Sequence, residues 1–251
     1  MKHVIENQYL KATIEDKGAQ ILSLKSKENG KEYIWNGDEG VWKWHAPVLF
    51  PQCGNFPNGY LCNGRNYKLP MHGFLRDVEH TYLGEGVFVF ASDNREDYPF
   101  SFKTQTSFTL EEHTLTHSIT ITNTSELPMP MSLGFHTGFL IQTPLLTFSS
   151  FEDELGCDCF KCNDNTLSDT KLYTRIKSRK IDVRGDDGKR MVLSFSDFTT
   201  LVLWTPKGKS KQLVCIEPRI DTVPTGAKEP FAISLKGKES ITLSETILII
   251  E

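Results

Sequence analysis

Residues 102–121 read FKTQTSFTLEEHTLTHSITI, and apolar or threonine side chains recur at every second position from Phe102 to Leu110. The second half of the stretch returns to a two-residue period from Leu115 to Ile121. Such alternation is typical of antiparallel strands that bury one face. The polar residues 111–113 interrupt it. The stretch therefore predicts a β-hairpin whose turn lies at these three residues.

Similar patterns on both sides of this hairpin predict further strands along most of the chain. They fall at residues 9–14, 20–25, 33–35, 87–91, 180–183, 191–194, 200–204, 213–216, 231–235 and 240–250. No segment carries an apolar stripe of helical period between capping residues. The expected fold class is therefore all-β, with large antiparallel sheets, little helix and one domain over residues 1–251.

Charge and hydropathy exclude several classes of protein. The formal net charge is −4 and no long basic run occurs, which argues against a nucleic-acid partner. Residues 1–18 contain no apolar stretch of signal-peptide length, and no window approaches the ~18 apolar residues of a membrane span. We therefore expect a cytoplasmic protein that binds neither nucleic acid nor membrane and works as a monomer or a dimer.

The segments 42–59 and 69–77 differ from the rest of the chain. They are rich in proline, glycine, aromatic and polar residues and lack regular alternation. Loops on a rigid sheet scaffold are where binding residues gather. Aromatic rings together with amide and imidazole groups suit a sugar, which offers apolar C–H faces and a rim of hydroxyls. We expect one of the four tryptophans to line such a site.

Three titratable residues occupy positions that suit acid–base chemistry. His72 lies in a Pro-Met-His-Gly-Phe loop, His136 lies in the apolar segment 133–139, and Glu217 ends the apolar run 213–216. A carboxyl group at the end of a buried strand can have a raised pKa, and an imidazole titrates near pH 7. Taken singly, each also fits a structural role, as a hydrogen-bonded histidine or a strand end. Of the remaining histidines, His45 fits either packing or a role in the site, and His3, His80, His113 and His117 are expected at the surface or in turns.

The six cysteines include a tight cluster, Cys157, Cys159 and Cys162. Structural zinc sites usually combine two separated pairs of ligands, and no second pair with that spacing occurs here. A chain of this length without a secretion signal also has no need of disulfides. We expect reduced thiols and no metal site, with adventitious metal binding or a redox role as the alternatives.

Four sequence blocks follow one another in a set order. They are Ala46–Pro51 followed by Gly54, Met71–Asp77, Gly134–Phe139, and Cys215–Pro218. This combination resembles the LacX-like branch of the aldose 1-epimerase family, and the likeness runs from about residue 10 to residue 250. The resemblance implies the galactose mutarotase-like β-supersandwich fold. It also implies an isomerase that interconverts the anomers of an aldose without a cofactor.

The resemblance further implies roles for individual residues. The general base of the family falls on Glu217, its general acid on His136, and its substrate-positioning histidine on His72. We expect the ionised carboxylate of Glu217 to keep His136 protonated by mutual attraction. Three further residues are expected to contact the substrate: His45, Asn55 and Arg76.

The sequence departs from the family pattern at Asn55, at Arg219 and in the block Gly134–Phe139, which reads Gly-Phe-His-Thr-Gly-Phe where similar proteins often read Gly-Gly-His-Pro-Ala-Phe. Asn55 stands where similar proteins often carry an arginine, and Arg219 stands where they often carry a tryptophan. The expected substrate is a neutral hexose. A hexose 6-phosphate is the alternative, with Arg76 and Arg219 as candidate partners of the phosphate. A non-catalytic carbohydrate-binding protein is the alternative from another class, favoured by the missing arginine and tryptophan, whereas the retained pair Glu217 and His136 argues for the enzyme.

Overall fold

The computed structural model describes residues 1–148, 159–174, 176–221 and 231–250, and most of its regular structure is β-strand. In chain order the strands are β1 (Lys2–Glu6), β2 (Leu10–Glu15), β3 (Gln20–Ser26), β4 (Val48–Leu49), β5 (Tyr60–Cys62), β6 (Arg65–Tyr67), β7 (Thr81–Gly84), β8 (Val87–Ser92), β9 (Phe102–Glu111), β10 (Thr114–Asn123), β11 (Met129–Met131), β12 (Leu133–Phe135), β13 (Thr137–Phe139), β14 (Leu145–Phe148), β15 (Cys159–Lys161), β16 (Lys171–Thr174), β17 (Lys180–Arg184), β18 (Arg190–Phe195), β19 (Thr200–Trp204), β20 (Val214–Ile220), β21 (Ile233–Leu235) and β22 (Ser240–Ile250). Within these ranges the one helix is a 3-10 turn at Leu75–Asp77. None of the described helical structure is therefore long and apolar enough to cross a membrane.

Two antiparallel sheets dominate the architecture. The larger has nine strands in the order β15-β14-β17-β18-β22-β10-β9-β8-β7. The second has six strands, in which β16, β19, β20, β12 and β4 are neighbours and β13 also pairs with β20. A three-stranded sheet, β1-β2-β3, and two strand pairs, β11-β21 and β5-β6, complete the structure. The predicted all-β class with large antiparallel sheets and little helix is confirmed.

The hairpin predicted from residues 102–121 lies near the middle of the large sheet. Strands β9 and β10 pair in continuous register from Thr114 opposite Glu111 to Asn123 opposite Phe102. Because neighbouring side chains point to opposite faces of a strand, the alternating residues of both strands turn inward together. They pack against the inner face of the six-stranded sheet, where the side chains of both sheets form the core.

His117 corrects one expectation, because it lies in this core and not at the surface. It follows the same alternation as its neighbours Leu115 and Ile119, and its side chain is 1% exposed. Its ring stacks on Phe108, with 4.5 Å between the ring centroids, and its Nδ1 lies 3.3 Å from Oε1 of Glu245. The pairing of β10 with β9 and with β22, which sets Glu245 opposite His117, therefore places an imidazole and a carboxyl group between the two sheets.

The other three histidines that were expected at the surface or in turns have different environments. His80 is buried, with Nδ1 3.2 Å from the carbonyl oxygen of Val78, so the surface assignment is wrong for this residue as well. His3 and His113 are partly exposed and contact carboxyl groups of Asp16 and Glu28.

Strand β20 is buried on both faces, and this positions the candidate site. Val214 and Ile216 point into the main core. Leu213 and Cys215 point to the opposite side, where they form a small separate apolar cluster with Trp35. Since the side chains alternate, Glu217 and Arg219 continue along this second face, away from the space between the sheets.

Candidate active site

His136 and Glu217 face each other across neighbouring strands of the six-stranded sheet. Their positions follow from the register, because the pairing of β12 and β13 with β20 on either side of His136 places it directly opposite Glu217. Directly opposed side chains in an antiparallel sheet stand close together on one face. Nε2 of His136 lies 3.4 Å from Oε1 of Glu217, and both side chains are almost completely buried.

Two glycines flank His136 on the same face and leave room for its neighbours. A Cβ atom on Gly138 would lie 2.7 Å from Cζ3 of Trp42, and one on Gly134 would lie 2.7 Å from Cγ of Arg219. Contacts this short do not occur with real side chains, so any larger residue at either position would displace its neighbour. The spacing Gly-Phe-His-Thr-Gly therefore fits a histidine between a tryptophan and an arginine.

Tryptophan rings enclose the imidazole of His136. The ring of Trp42 stacks on it with 4.9 Å between centroids, and Trp204 meets it edge-on at 5.8 Å. The indole N–H of Trp35 donates to the carbonyl oxygen of Trp42 at 2.7 Å, which fixes the segment that carries the stacked ring. The sequence led us to expect one tryptophan at the site, whereas Trp42, Trp44 and Trp204 all line it.

His72 reaches the site from the loop between β6 and the 3-10 turn. Its backbone has a positive φ of 67°, a conformation that non-glycine residues seldom adopt. Two hydrogen bonds hold it there: its N–H donates to the carbonyl oxygen of Gly54 at 2.7 Å, and the N–H of Gly54 donates to Nδ1 of His72 at 2.9 Å. Because Nδ1 accepts, the neutral ring carries its proton on Nε2 and can offer that N–H as a donor.

These side chains line one cavity of about 560 Å³. Its lining consists of Trp42, Lys43, Trp44, Gly54, Met71, His72, Arg76, His136, Thr170, Val202, Trp204, Glu217 and Arg219. Such a volume lies within the range of about 300–1,000 Å³ that is usual for small-molecule sites. The structure thus brings together Glu217, His136, His72 and Arg76, which the sequence singled out.

Two of the six predicted site residues do not line this cavity. Asn55 directly follows the lining residue Gly54, but its own side chain is exposed. His45 packs close to Gly37, and its Nδ1 lies 2.7 Å from the carbonyl oxygen of Trp35. His45 therefore has the packing role that the sequence also allowed.

Cationic side chains meet an indole ring at another part of the cavity. The guanidinium carbon of Arg76 lies 4.4 Å from the ring centroid of Trp44, and Nζ of Lys43 lies 4.8 Å from it. Arg76 is held in place by a hydrogen bond from Nη2 to the carbonyl oxygen of Met71 at 2.7 Å. This region of the cavity lining is therefore both aromatic and positively charged.

Glu217 has two different partners for its two carboxylate oxygens. Oε1 faces His136, whereas Oε2 accepts a short hydrogen bond from Nη2 of Arg219. Burial raises the pKa of Glu217 above its usual range, and the attraction of Arg219 limits that rise. Burial alone would lower the pKa of Arg219, but the neighbouring groups Glu217, Cys53 and Asp221 together outweigh it and raise the pKa, so the guanidinium stays charged.

Both imidazoles of the cavity have lowered pKa values, which favours their neutral forms. Burial lowers the pKa of His136 well below its usual value, and the positive charge of Arg219 lowers it further. The same two causes, in the same order, lower the pKa of His72 to about 3. Burial and the positive charge of Arg219 therefore oppose the protonation of His136 that Glu217 is expected to favour, and that expectation stays a prediction.

The described residues contain no group of three or more His, Cys, Asp or Glu side chains placed to hold a metal ion. Of the cysteine cluster, Cys159 is exposed at the start of β15 and Cys162 is buried. Cys157 lies outside the described residues.

Known proteins share both the sequence and the fold of this chain. The sequence model of the family described as Aldose 1-epimerase matches residues 1–155. The chromosomally encoded LacX protein of Lactococcus lactis subsp. lactis is 28% identical over 260 residues, covering 85% of this chain and 86% of that protein.

Solved structures extend the likeness over the whole chain. A galactose mutarotase-like protein from Lactobacillus casei superposes with a TM-score of 0.89 at 23% identity, covering 100% of both chains. A galactose mutarotase related enzyme from Lactobacillus acidophilus gives a TM-score of 0.87 at 22% identity, covering 100% of this chain and 98% of that one. The fold is thus galactose mutarotase-like, and the family match over residues 1–155 shows that this chain belongs to the aldose 1-epimerase family.

Proposed function

We propose that this protein interconverts the α and β anomers of a hexose, with Glu217 as general base and His136 as general acid. The observation that carries the proposal is the buried contact of 3.4 Å between these two side chains in a cavity lined by three tryptophans. An acid and a base within hydrogen-bond reach of one sugar ring are what reversible ring opening requires. Sugar binding alone does not require them.

The reaction begins at the hydroxyl group on C1 of the sugar. The Oε1 atom of Glu217 takes the proton of that hydroxyl, a C1=O double bond forms, and the electrons of the C1–O5 bond pass to O5. Nε2 of a protonated His136 gives its proton to O5. Rotation about C1–C2 presents the other face of the aldehyde, and ring closure returns both protons to the groups that gave them.

The acid step requires a proton on His136, and the lowered pKa of His136 disfavours that protonated form. Since the pKa of His136 is lowered and that of Glu217 is raised, the two values approach each other. The pair must hold one proton on the imidazole and none on the carboxylate, so only part of the protein is in the productive form at any pH. This couples turnover directly to the charges around the pair.

The rest of the cavity supports binding of a sugar ring. The indole rings of Trp42, Trp44 and Trp204 line the cavity and offer apolar surface for the C–H face of a hexose. The Nε2–H of His72 is a fixed donor for a ring hydroxyl or for O5, because its other nitrogen already accepts from Gly54. His72 is therefore proposed to position the substrate.

A hexose 6-phosphate is the second candidate substrate. The observation that favours it is the positive charge of Lys43 and Arg76 beside Trp44 in the cavity lining. A phosphate group forms strong, charge-assisted hydrogen bonds with such side chains. Neutral hexoses remain the proposed substrates, since Arg76 is already engaged by Met71 and by Asp77, whose Oδ2 lies 3.7 Å from Nε.

Polarimetry with pure α-anomers tests the proposal. Neutral α-hexoses and their 6-phosphates are dissolved separately, and the approach to anomeric equilibrium is followed with and without protein. We expect the protein to accelerate at least one neutral hexose above the spontaneous rate. Turnover confined to the 6-phosphates would reject the neutral substrate, and binding without acceleration would favour a non-catalytic carbohydrate-binding protein.

A further inference from the structure

Arg219 is the one cation in direct contact with the proposed base among the described residues. It follows Glu217 by two positions in β20, so both side chains lie on the same face of the strand. Nη2 of Arg219 donates to Oε2 of Glu217, and Nη1 lies 3.5 Å from Oδ2 of Asp221, two positions further along. The guanidinium of Arg219 therefore contacts two buried carboxylates, those of Glu217 and Asp221.

Packing fixes Arg219 from the opposite side. The neighbouring strand carries Gly134 directly across from it, and no side chain there competes for the space. A Cβ atom on Gly134 would also lie 3.3 Å from Sγ of Cys53, so Cys53 bounds the space around the Arg219 side chain on another side. With 7% of its surface exposed, Arg219 has little freedom to turn.

We propose that Arg219 is a positioning residue for the anomerase reaction: it holds Glu217 through Oε2, so that Oε1 alone is presented to the sugar and to His136. The inference rests on the proposed function. The terminal torsion of a glutamate side chain is broad, so an unanchored carboxylate would rotate between several orientations. The arginine fork prevents this rotation because its N–H groups have fixed directions.

The charges around Glu217 and His136 allow the role of Arg219 to be measured through the pH dependence of turnover. The charged or titratable groups near His136 are Arg76, His72 and Arg219. Those near Glu217 are Arg219 and Asp221, and Cys53 lies next to Arg219. Arg219 opposes protonation of both members of the pair. If its charge is removed, both groups take up a proton at higher pH.

The test compares Arg219→Gln, which removes the charge, with Arg219→Lys, which keeps it. Arg190→Gln is the matched control, because Arg190 also pairs with a carboxylate, Asp182 at 2.7 Å, but at the exposed edge of another hairpin. For each variant we measure kcat, KM and the pH dependence of mutarotation. In parallel, the imidazole of His136 is titrated by NMR, with His136→Asn to assign its signals.

We expect Arg219→Gln to lower kcat by about 10²-fold, the usual effect of a misplacement of about 1 Å, while KM changes by less than about threefold. Both limbs of its pH profile should move to higher pH by about 1 pH unit or more. Arg219→Lys should keep the limbs near their wild-type positions and recover part of kcat. Arg190→Gln should match the wild type throughout.

Two results would overturn the inference. In one, Arg219→Gln retains the wild-type kcat and pH limbs while Glu217→Gln is inactive, which leaves the proposed function standing. In the other, the NMR titration of His136 is the same in Arg219→Gln as in the wild type, a result that needs no catalytic activity. If Arg219→Gln does not fold, a Lys variant with altered pH limbs or with unchanged kcat contradicts the proposal.

Discussion

A buried polar network lies between the two sheets, next to the segment of β12 and β13 in which His136 stands. The hydroxyl group of Thr137 donates to Oε1 of Glu245 at 2.7 Å, and Nδ1 of His117 lies 3.3 Å from the same oxygen. All three side chains are buried. Thr137 points into the core while its neighbour His136 points into the cavity, so the network can be altered without a direct contact to the substrate.

Replacing Thr137 with valine removes the donor and nearly preserves the shape of the side chain. A buried acceptor that loses a partner costs about 1–3 kcal/mol of folding free energy. Because His117 still contacts Oε1 of Glu245, we expect a loss at the lower end, about 1–2 kcal/mol. With a urea m-value of about 3 kcal/mol/M, the unfolding midpoint should fall by about 0.3–0.7 M.

Urea unfolding followed by tryptophan fluorescence measures this loss. The matched control is Thr120→Val, which removes an exposed hydroxyl contact of 2.8 Å with Thr242 and should change stability by less than about 0.5 kcal/mol. Mutarotation by Thr137→Val should stay within about threefold of the wild type. Equal stabilities of the two valine variants would refute the reasoning that the network is buried and costly to break.

Three further predictions concern the cavity. His72→Ala should raise KM by about 3–10-fold and also lower kcat, since it removes a fixed donor worth about 1 kcal/mol; steady-state polarimetry that finds neither change contradicts the positioning role. Gly138→Ala should weaken sugar binding in calorimetry and lower the free energy of unfolding by about 1–3 kcal/mol, because its methyl group would displace the ring of Trp42 that stacks on His136. In the control Gly40→Ala, the new Cβ would have only one side-chain atom within 4 Å, so neither sugar binding nor stability should change. The pH profile of kcat/KM should be bell-shaped and narrow. Burial raises the pKa of Glu217, so activity is lost at a higher pH on acidification, and burial lowers the pKa of His136, so activity is lost at a lower pH on alkalinisation. Limbs of the profile more than about 2 pH units apart, the separation of free glutamate and imidazole groups, would contradict this prediction.

The period-2 pattern carried most of the information about the fold. It located the hairpin of β9 and β10 with its turn, and it also contained the signal that we missed. His117 occupies an inward position of the same alternation, so its burial could have been predicted from the residues around it. We gave more weight to the polarity of the side chain than to its register. That the chain forms one domain over residues 1–251 stays a prediction.

The candidate site was predicted less completely than the fold. Family-like blocks identified Glu217, His136 and His72, which do share one cavity. They could not show that Asn55 turns to solvent, because a single residue after a glycine turn has no periodicity to fix its direction. Nor could the sequence give the charge of His136, since that depends on burial and on the distance to Arg219 across two strands.

The most direct test of the proposed reaction compares Glu217→Gln with the wild type on one neutral α-hexose that the wild type turns over. The amide keeps the shape of the side chain but cannot accept the proton of the C1 hydroxyl. We predict that mutarotation falls by about 10²–10⁴-fold, while the Kd for the sugar, measured by calorimetry, stays within about threefold. Glu111→Gln, at the exposed end of β9, should behave like the wild type in both measurements. Wild-type mutarotation by Glu217→Gln, or no acceleration of any aldose by the wild type, would contradict the account.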